Sequence, residues 1–234
     1  STMSDKSCII TGASRGIGRA VADRFAQAGY KLLIAARGEA ALAKAASELR
    51  DAGATCEFAA GDLAAPQFAR ELAEKARKRF GRIDVLVNNA GCAPLKPFPE
   101  TTDEDLQSTF ALNCAALFYT CQAVWQPMQA QGGGVIVNIS SLASIDPFTG
   151  FSVYGASKAW VNTFTRALAD EGKPHAIRVY AVAPGAVDTP LMRSAFPDFP
   201  AERALLPDDV AAVVESVCDG RMRAVTGETI FVRK

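Results

Sequence analysis

The chain is poor in histidine and has no paired cysteines. His175 stands alone among 234 residues, and Cys8, Cys56, Cys92, Cys114, Cys121 and Cys218 are scattered with no C-x-x-C spacing. Zinc sites of the usual kinds need clustered nitrogen and sulfur ligands, so no metal site is expected. Buried, reduced thiols in a cytoplasmic protein are the expectation. A Cys–His nucleophilic pair has no local motif behind it, and His175, in "GKPHA", is expected in an exposed loop. Charge of one sign is lacking too, since 25 Lys and Arg balance 25 Asp and Glu. Such a chain has no net field to gather DNA, RNA or an acidic membrane. No apolar run approaches the roughly 18 residues of a membrane span. The N-terminal "STMSDKS" lacks the apolar centre of a secretion signal. Ser1 and Thr2, ahead of Met3, read as a remnant of cloning, and residues 1–6 as a tail.

Apolar residues make up 49% of the chain, ample for a core. The length suits one large α/β domain or two small ones. "SCIIT", "KLLIAAR", "ATCEFAAGD" and "IDVLVNNAG" are short apolar runs. Between them lie segments of helical spacing: "GIGRAVADRFAQAG", "GEAALAKAASELRDAG" and "PQFARELAEKARKRFG". Strand and helix alternating at this pitch mean parallel strands joined by crossover helices. Continuous apolarity suits strands covered on both faces. Residues 103–130 predict one long helix or two abutting ones, "VIVNIS" a fifth strand, 152–171 a helix and "IRVYAVAP" a sixth strand. The proline-rich stretch that follows, 186–206, predicts a long irregular segment near the substrate. "DDVAAVVESVCD" predicts a helix capped by Asp208 or Asp209, and "GETIFVR" a last strand. No linker or repeat interrupts the pattern. The expectation is one doubly wound, Rossmann-like domain over 1–234, with a mostly parallel seven-stranded sheet between two layers of helices.

"TGASRGIG" at 11–18 follows the first strand and opens the first helix. Glycines there permit a tight turn, and the helix N-terminus offers free N–H groups and a positive dipole end to a phosphate. The spacing of Gly12, Gly16 and Gly18 differs from the common G-x-G-x-x-G, and a helix start with incidental glycines is the plainer alternative. An acidic residue at the end of the second strand is the usual device for a free ribose 2′-hydroxyl. Arg37 stands there instead, and Arg15 lies inside the turn. Two guanidinium groups suit a 2′-phosphate, which favours NADP(H) over NAD(H); two solvated surface arginines are the alternative.

Taken together, "TGASRGIG", "NNAG" at 88–91, "NISS" at 138–141 and "YGASK" at 154–158 resemble the short-chain dehydrogenase/reductase family, in order and spacing from about residue 7 to residue 192. That resemblance makes Tyr154 the general acid/base, Lys158 its activating ammonium and a hydrogen-bonding partner of the nicotinamide ribose, and Ser141 the hydroxyl that holds the substrate oxygen. Ser140 is the neighbour set aside. Asn113 becomes the fourth catalytic residue, holding a water between Lys158 and solvent. A free tyrosine titrates near pH ~10, and an ammonium one helical turn away is expected to lower that value. Gly155, Ala156 and Ser157 need no catalytic role, and their small size would leave room for a cofactor. The resemblance also brings Ser14, Arg15 and Ile17 of the glycine turn to the cofactor. It sets Asp62 and Leu63 near the adenine, Asn88, Ala90 and Gly91 along the adenosine, and Pro184, Gly185, Val187 and Thr189 around the nicotinamide. Steadying the sheet is the alternative task for Asn88.

The chain departs from the family in a short tail and a short segment after Thr189, which suggest an open pocket. The implied function is an NADPH-dependent reductase of a small-molecule carbonyl compound, or a 3-oxoacyl reductase, assembled as a homodimer or homotetramer. Phe148, Phe151, Leu191, Met192, Phe196 and Phe199 are candidates for an apolar wall. A non-catalytic NADP(H)-binding sensor is the rival reading. It explains the glycine turn but not four filled relay positions.

Overall fold

A computed structural model describes residues 6–234; most of the N-terminal tail, residues 1–5, lies outside them. The apolar runs become strands because helices cover both of their faces. In chain order the elements are β1 (Ser7–Thr11), α1 (Gly16–Gln27), β2 (Lys31–Ala36), α2 (Glu39–Asp51), β3 (Cys56–Ala60), α3 (Pro66–Phe80) and β4 (Val85–Asn88). Then come α4 (Asp103–Phe110), α5 (Ala116–Ala130), β5 (Gly134–Ile139), α6 (Ser152–Gly172), β6 (Ile177–Pro184), α7 (Pro190–Ala195), α8 (Pro207–Cys218) and β7 (Thr229–Val232). The strands form one seven-stranded sheet in the order β3-β2-β1-β4-β5-β6-β7, with every pairing parallel. The order reverses between β1 and β4, and ligands of open parallel sheets bind beyond the strand ends at that reversal.

Two cores flank the sheet. On one face Val21 and Phe25 of α1, Leu42 and Leu49 of α2, and Val210 and Val214 of α8 pack on Ile10, Ile34 and Val182. On the other, Leu72 of α3, Val124 of α5 and Val161 of α6 pack on Ile9, Leu86 and Ile136. The six cysteines are free, and all but Cys92 are buried. Among the described residues there is no cluster able to hold a metal, and no helix is long and apolar enough to cross a membrane.

Three local differences from the sequence reading have physical causes. Residues 103–130 stay helical throughout, but a π-type turn at Ala111–Ala115 separates α4 from α5. Asp208 and Asp209 do not occupy the cap of α8. Leu206 does, because Pro207 suits the first helical position, and the Asp209 carboxylate reaches back to accept the Leu206 N–H at 2.7 Å. Asp208 instead faces α1, where it pairs with Arg24 at 2.7 Å. The 186–206 segment is folded rather than irregular. Leu205 N–H donates to the Ala186 carbonyl at 2.9 Å, and Asp188 N–H to the Leu205 carbonyl at 2.8 Å. Arg193 crosses the loop to Asp188 at 2.7 Å and to the Phe199 carbonyl at 2.6 Å. Lys234, just past β7, also fastens it, its Nζ donating to the Ala204 carbonyl at 2.9 Å.

Candidate active site

The glycine turn is shaped by contact as much as by conformation. Gly12 and Gly16 have φ of +65° and +59°, a region that side chains disfavour. A Cβ on Gly12 would stand 2.9 Å from Ala90 Cα, and one on Gly18 would overlap the Asn89 amide and the Gly12 carbonyl. A Cβ on Gly16 would meet Thr189 Cγ2 at 3.3 Å, so the segment after β6 closes onto the start of α1. That helix begins with no side-chain cap and no acidic residue in its first turn. Its leading N–H groups and positive dipole end are therefore left to an anion. The turn fits a dinucleotide pyrophosphate on these grounds. Arg15 and Arg37 are both exposed, and no side chain among the described residues pairs with either. Ser14 is half-buried, and Ile17, also half-buried, packs against the first core.

Asn89 was not singled out by sequence reasoning, yet it braces the turn. Its Nδ2 donates to the carbonyls of Thr11 and Gly12, each at 3.1 Å, while Thr11 Oγ1 accepts from Asn89 N and Ala90 N at 3.0 and 3.1 Å. The available signal was topological. A residue just past β4 in a doubly wound sheet faces the turn after β1, because those strands are neighbours. Asn88 points the other way. Its buried amide donates to Asn138 Oδ1 at 3.0 Å and accepts from Thr120 Oγ1 at 2.6 Å, tying β4 to β5 and α5. Its side chain serves the alternative task, steadying the sheet. Asp62 is exposed and its carboxylate accepts the Ala64 N–H at 3.0 Å, whereas Leu63 is buried in the second core. Past β6, Pro184 ends the strand and Gly185 N–H bonds the Val232 carbonyl at 2.9 Å. Val187 is buried, and Thr189 caps α7, its hydroxyl accepting from Met192 N–H at 3.2 Å.

Gly91 stands between the turn and Asn113 with Lys158. A Cβ there would stand 3.0 Å from Asn113 Oδ1 and 3.5 Å from Lys158 Nζ. The residues that follow β4 thus touch the glycine turn through Asn89 and Ala90, and Asn113 and Lys158 through Gly91. Lys158 is buried, its Nζ donating to the Ile139 carbonyl at 2.9 Å and lying 5.8 Å from the Tyr154 ring centroid. Burial lowers its pKa to about 8, against a partial upward pull from Cys114 and Cys92. Burial raises the Tyr154 phenol above its ordinary value, and a hydrogen bond with Ser141 pulls it back down in part. The lowering expected from the ammonium is not present in these residues alone. As pH rises in the free protein the lysine loses its proton near 8, before the phenol titrates, and only below that pH is an ammonium present to face a phenolate.

The two serines separate cleanly. Ser140 is buried and donates to the Lys158 backbone carbonyl at 3.1 Å, a structural bond. Ser141 accepts the Ala143 N–H at 3.2 Å, and its hydroxyl lies near enough to Tyr154 to lower the phenol's pKa in part. Asn113 lies in the π-type turn with its amide held inside the protein. Nδ2 donates to the Cys92 carbonyl and to Ser157 Oγ at 2.9 and 3.0 Å, and Oδ1 accepts the Cys92 N–H at 2.9 Å. Any water it holds is left to the remaining lone pair of Oδ1 or to its backbone. Ser157 in turn donates to the Tyr154 backbone carbonyl at 2.7 Å, so with Asn113 it ties down the helical turn that carries Tyr154. The reason for Gly155 also differs from the expected room for a cofactor. A Cβ there would stand 2.8 Å from the Ala143 carbonyl and 2.9 Å from Pro147 Cβ. Its smallness lets α6 press against the segment that carries Ser141.

Three comparisons with known proteins identify the family. The short chain dehydrogenase family profile matches residues 6–199. L-xylulose reductase of Bos taurus is 35% identical over 241 residues, covering 98% of this chain and 96% of the relative. A solved 3-ketoacyl-(acyl-carrier-protein) reductase from Brucella melitensis, complexed with NADH, superposes with a TM-score of 0.91 at 31% identity over 98% of this chain and 97% of its own. An actinorhodin polyketide ketoreductase with NADPH superposes with a TM-score of 0.93 at 30% identity over 100% and 97% of the two chains. A family match over most of its length, with relatives at this identity end to end, places this chain in the short-chain dehydrogenase/reductase family.

Proposed function

We propose that the protein is an NADP(H)-dependent oxidoreductase that interconverts carbonyl compounds and alcohols, with Tyr154 as general acid/base. The observation that carries this reading is the buried Lys158 ammonium, 5.8 Å from the Tyr154 ring centroid and next to Gly91, whose neighbours Asn89 and Ala90 touch the glycine turn. The glycine turn and the N-terminus of α1 would hold the pyrophosphate, Arg15 and Arg37 a ribose 2′-phosphate, and Lys158 the nicotinamide ribose. Solved relatives carry NADPH in one case and NADH in another; the two unpaired arginines favour the phosphorylated form here. When bound, the reduced nicotinamide supplies a hydride to the carbonyl carbon. Ser141 donates a hydrogen bond to the carbonyl oxygen, and the Tyr154 hydroxyl gives that oxygen its proton. The phenolate left on Tyr154 is stabilised by the Lys158 ammonium below the ring. Asn113 and Ser157 hold the helix turn that carries the phenol.

Tyr154→Phe tests the assignment. The variant should bind NADPH with unchanged affinity by cofactor fluorescence and lose at least about 100-fold in turnover of any carbonyl substrate of the wild type. Turnover within tenfold of wild type removes Tyr154 from the role. NADPH binding without turnover of any carbonyl compound by the wild type would favour the sensor.

A further inference from the structure

We infer that the substrate is an uncharged ring ketone or its alcohol, held by an aromatic wall that starts at the catalytic phenol; the inference rests on the reductase reading above. The Phe151 ring lies 4.9 Å from the Tyr154 ring, centroid to centroid. Phe148 and Phe196 both pack on Phe151, at 4.7 and 5.9 Å, and on each other at 5.7 Å. These spacings are those at which aromatic rings attract. Phe151 is buried and forms the backing of the wall. Phe148 presents 55% of its surface, and on the same two segments Ile145 presents 56% and Leu191 43%. The wall joins two segments, the one after Ser141 and the folded loop that carries α7. A carbonyl oxygen held by Ser141 and Tyr154 would leave its substituents beside these rings. An exposed apolar patch bordering convergent polar groups is the mark of a ligand site.

The charges on the same segments decide against an anionic ligand. Residues 142–151 carry one charged residue, Asp146, and α7 carries one, Arg193. Arg193 is spent on Asp188 and the Phe199 carbonyl. Nearby, Lys96 is spent on Asp105 at 2.7 Å. The other cation of the folded loop, Arg203, has its guanidinium over the Phe199 ring at 5.9 Å from the centroid, so a phosphorylated carrier arm would find no cluster of cations on either ring-bearing segment. A polyol fits no better. The Ser194 hydroxyl is turned back to the Leu191 carbonyl at 2.8 Å, leaving Thr149 as the hydroxyl on these segments with no protein partner. The rings stand tilted by 38° to 84°, forming facets. A rigid ring can lie against such facets without losing internal rotations, which a linear acyl chain would lose.

The test compares 2-tetralone, hydroxyacetone and an acetoacetyl thioester as substrates of the NADPH-loaded enzyme. It also measures saturation-transfer NMR of 2-tetralone on the NADP+-loaded enzyme. The expected result is a kcat/KM for 2-tetralone at least roughly tenfold above the other two. In Phe148→Ala and Phe196→Ala the preference for 2-tetralone over hydroxyacetone should fall by about that factor, with weakened saturation transfer. Phe148 is more than half exposed, so its loss leaves the core intact, and a melting curve checks this for both variants. A preference for hydroxyacetone or the thioester, or variants that keep the wild-type preference within about twofold, would overturn the inference while leaving the reductase reading standing. If 2-tetralone binds in a Phe148- and Phe196-dependent way but nothing is turned over, the wall is supported and the reductase reading is what fails.

Discussion

Two adjacent asparagines should behave in opposite ways when truncated. Asn88→Ala removes an amide that is buried between Asn138 and Thr120. It leaves Asn138 Oδ1 without its 3.0 Å donor in the middle of the sheet. An orphaned buried acceptor costs about 1–3 kcal/mol. In a domain of this size each kcal/mol moves the melting temperature by about 2–4 °C, so a drop of about 2–12 °C is expected. NADPH affinity of the folded variant should stay within about twofold of wild type, because no atom of that amide faces the glycine turn. Asn89→Ala removes two bonds of 3.1 Å that hold the Thr11 and Gly12 carbonyls. The amide is half-buried and water can replace it in part, so about 1–2 kcal/mol of stability is expected to go. The larger effect falls on the cofactor. Releasing the Gly12 carbonyl lets the turn relax, and an affinity loss of roughly tenfold corresponds to about 1.4 kcal/mol of lost preorganisation. NADPH titration by fluorescence and a melting curve on the same samples measure both quantities. If Asn88→Ala weakens NADPH more than Asn89→Ala does, the division of labour is wrong.

Arg37→Asp should lower NADPH affinity by roughly 10- to 100-fold and NADH affinity by less than about threefold, since only the first cofactor has a 2′-phosphate for the guanidinium to hold. Equal losses in paired titrations would refute the assignment. Reduction should show an alkaline limb. Lys158 is charged below its pKa of about 8 and neutral above it, while the phenol stays protonated there because burial raises it. A kcat/KM profile that declines through pH ~8 is therefore expected, and a profile flat to pH ~9.5 would show that the ammonium is not needed.

The fold was legible because its signals are periodic. Apolar runs of strand length, punctuated by Gly29, Gly53 and Gly81 after the helices, fix a βα alternation, and the handedness of crossovers leaves few ways to assemble it. The motif residues were legible through their order. What escaped reading depends on neighbours far apart in sequence. Asn89 looks like a copy of Asn88 until β4 is laid beside β1. Gly155 reads as space for a ligand until Ala143 and Pro147 are found 2.8 and 2.9 Å from where its Cβ would be. The π-type turn at Ala111–Ala115 has no composition of its own; it sits where Asn113 must turn inward to bridge Cys92 and Ser157.

The state of Lys158 separates a surface helix face from a proton relay. On a solvated face a lysine and a tyrosine would keep ordinary values near 10.4 and 10, and at neutral pH neither would exchange protons readily. Here the ammonium is buried against one backbone carbonyl, with no carboxylate beside it to hold its charge. An arrangement chosen for stability alone would pair or expose such a group, because an unpaired buried cation disfavours folding in its charged form. The same burial brings the lysine down to about 8, close enough to neutrality to be charged when the phenolate forms and still able to release a proton afterwards. Gly91, which leaves only 3.5 Å between its missing Cβ and Nζ, keeps the opening on that side narrow. A larger residue there would crowd the lysine from the direction in which a ribose would reach it, so the position constrains charge and access together.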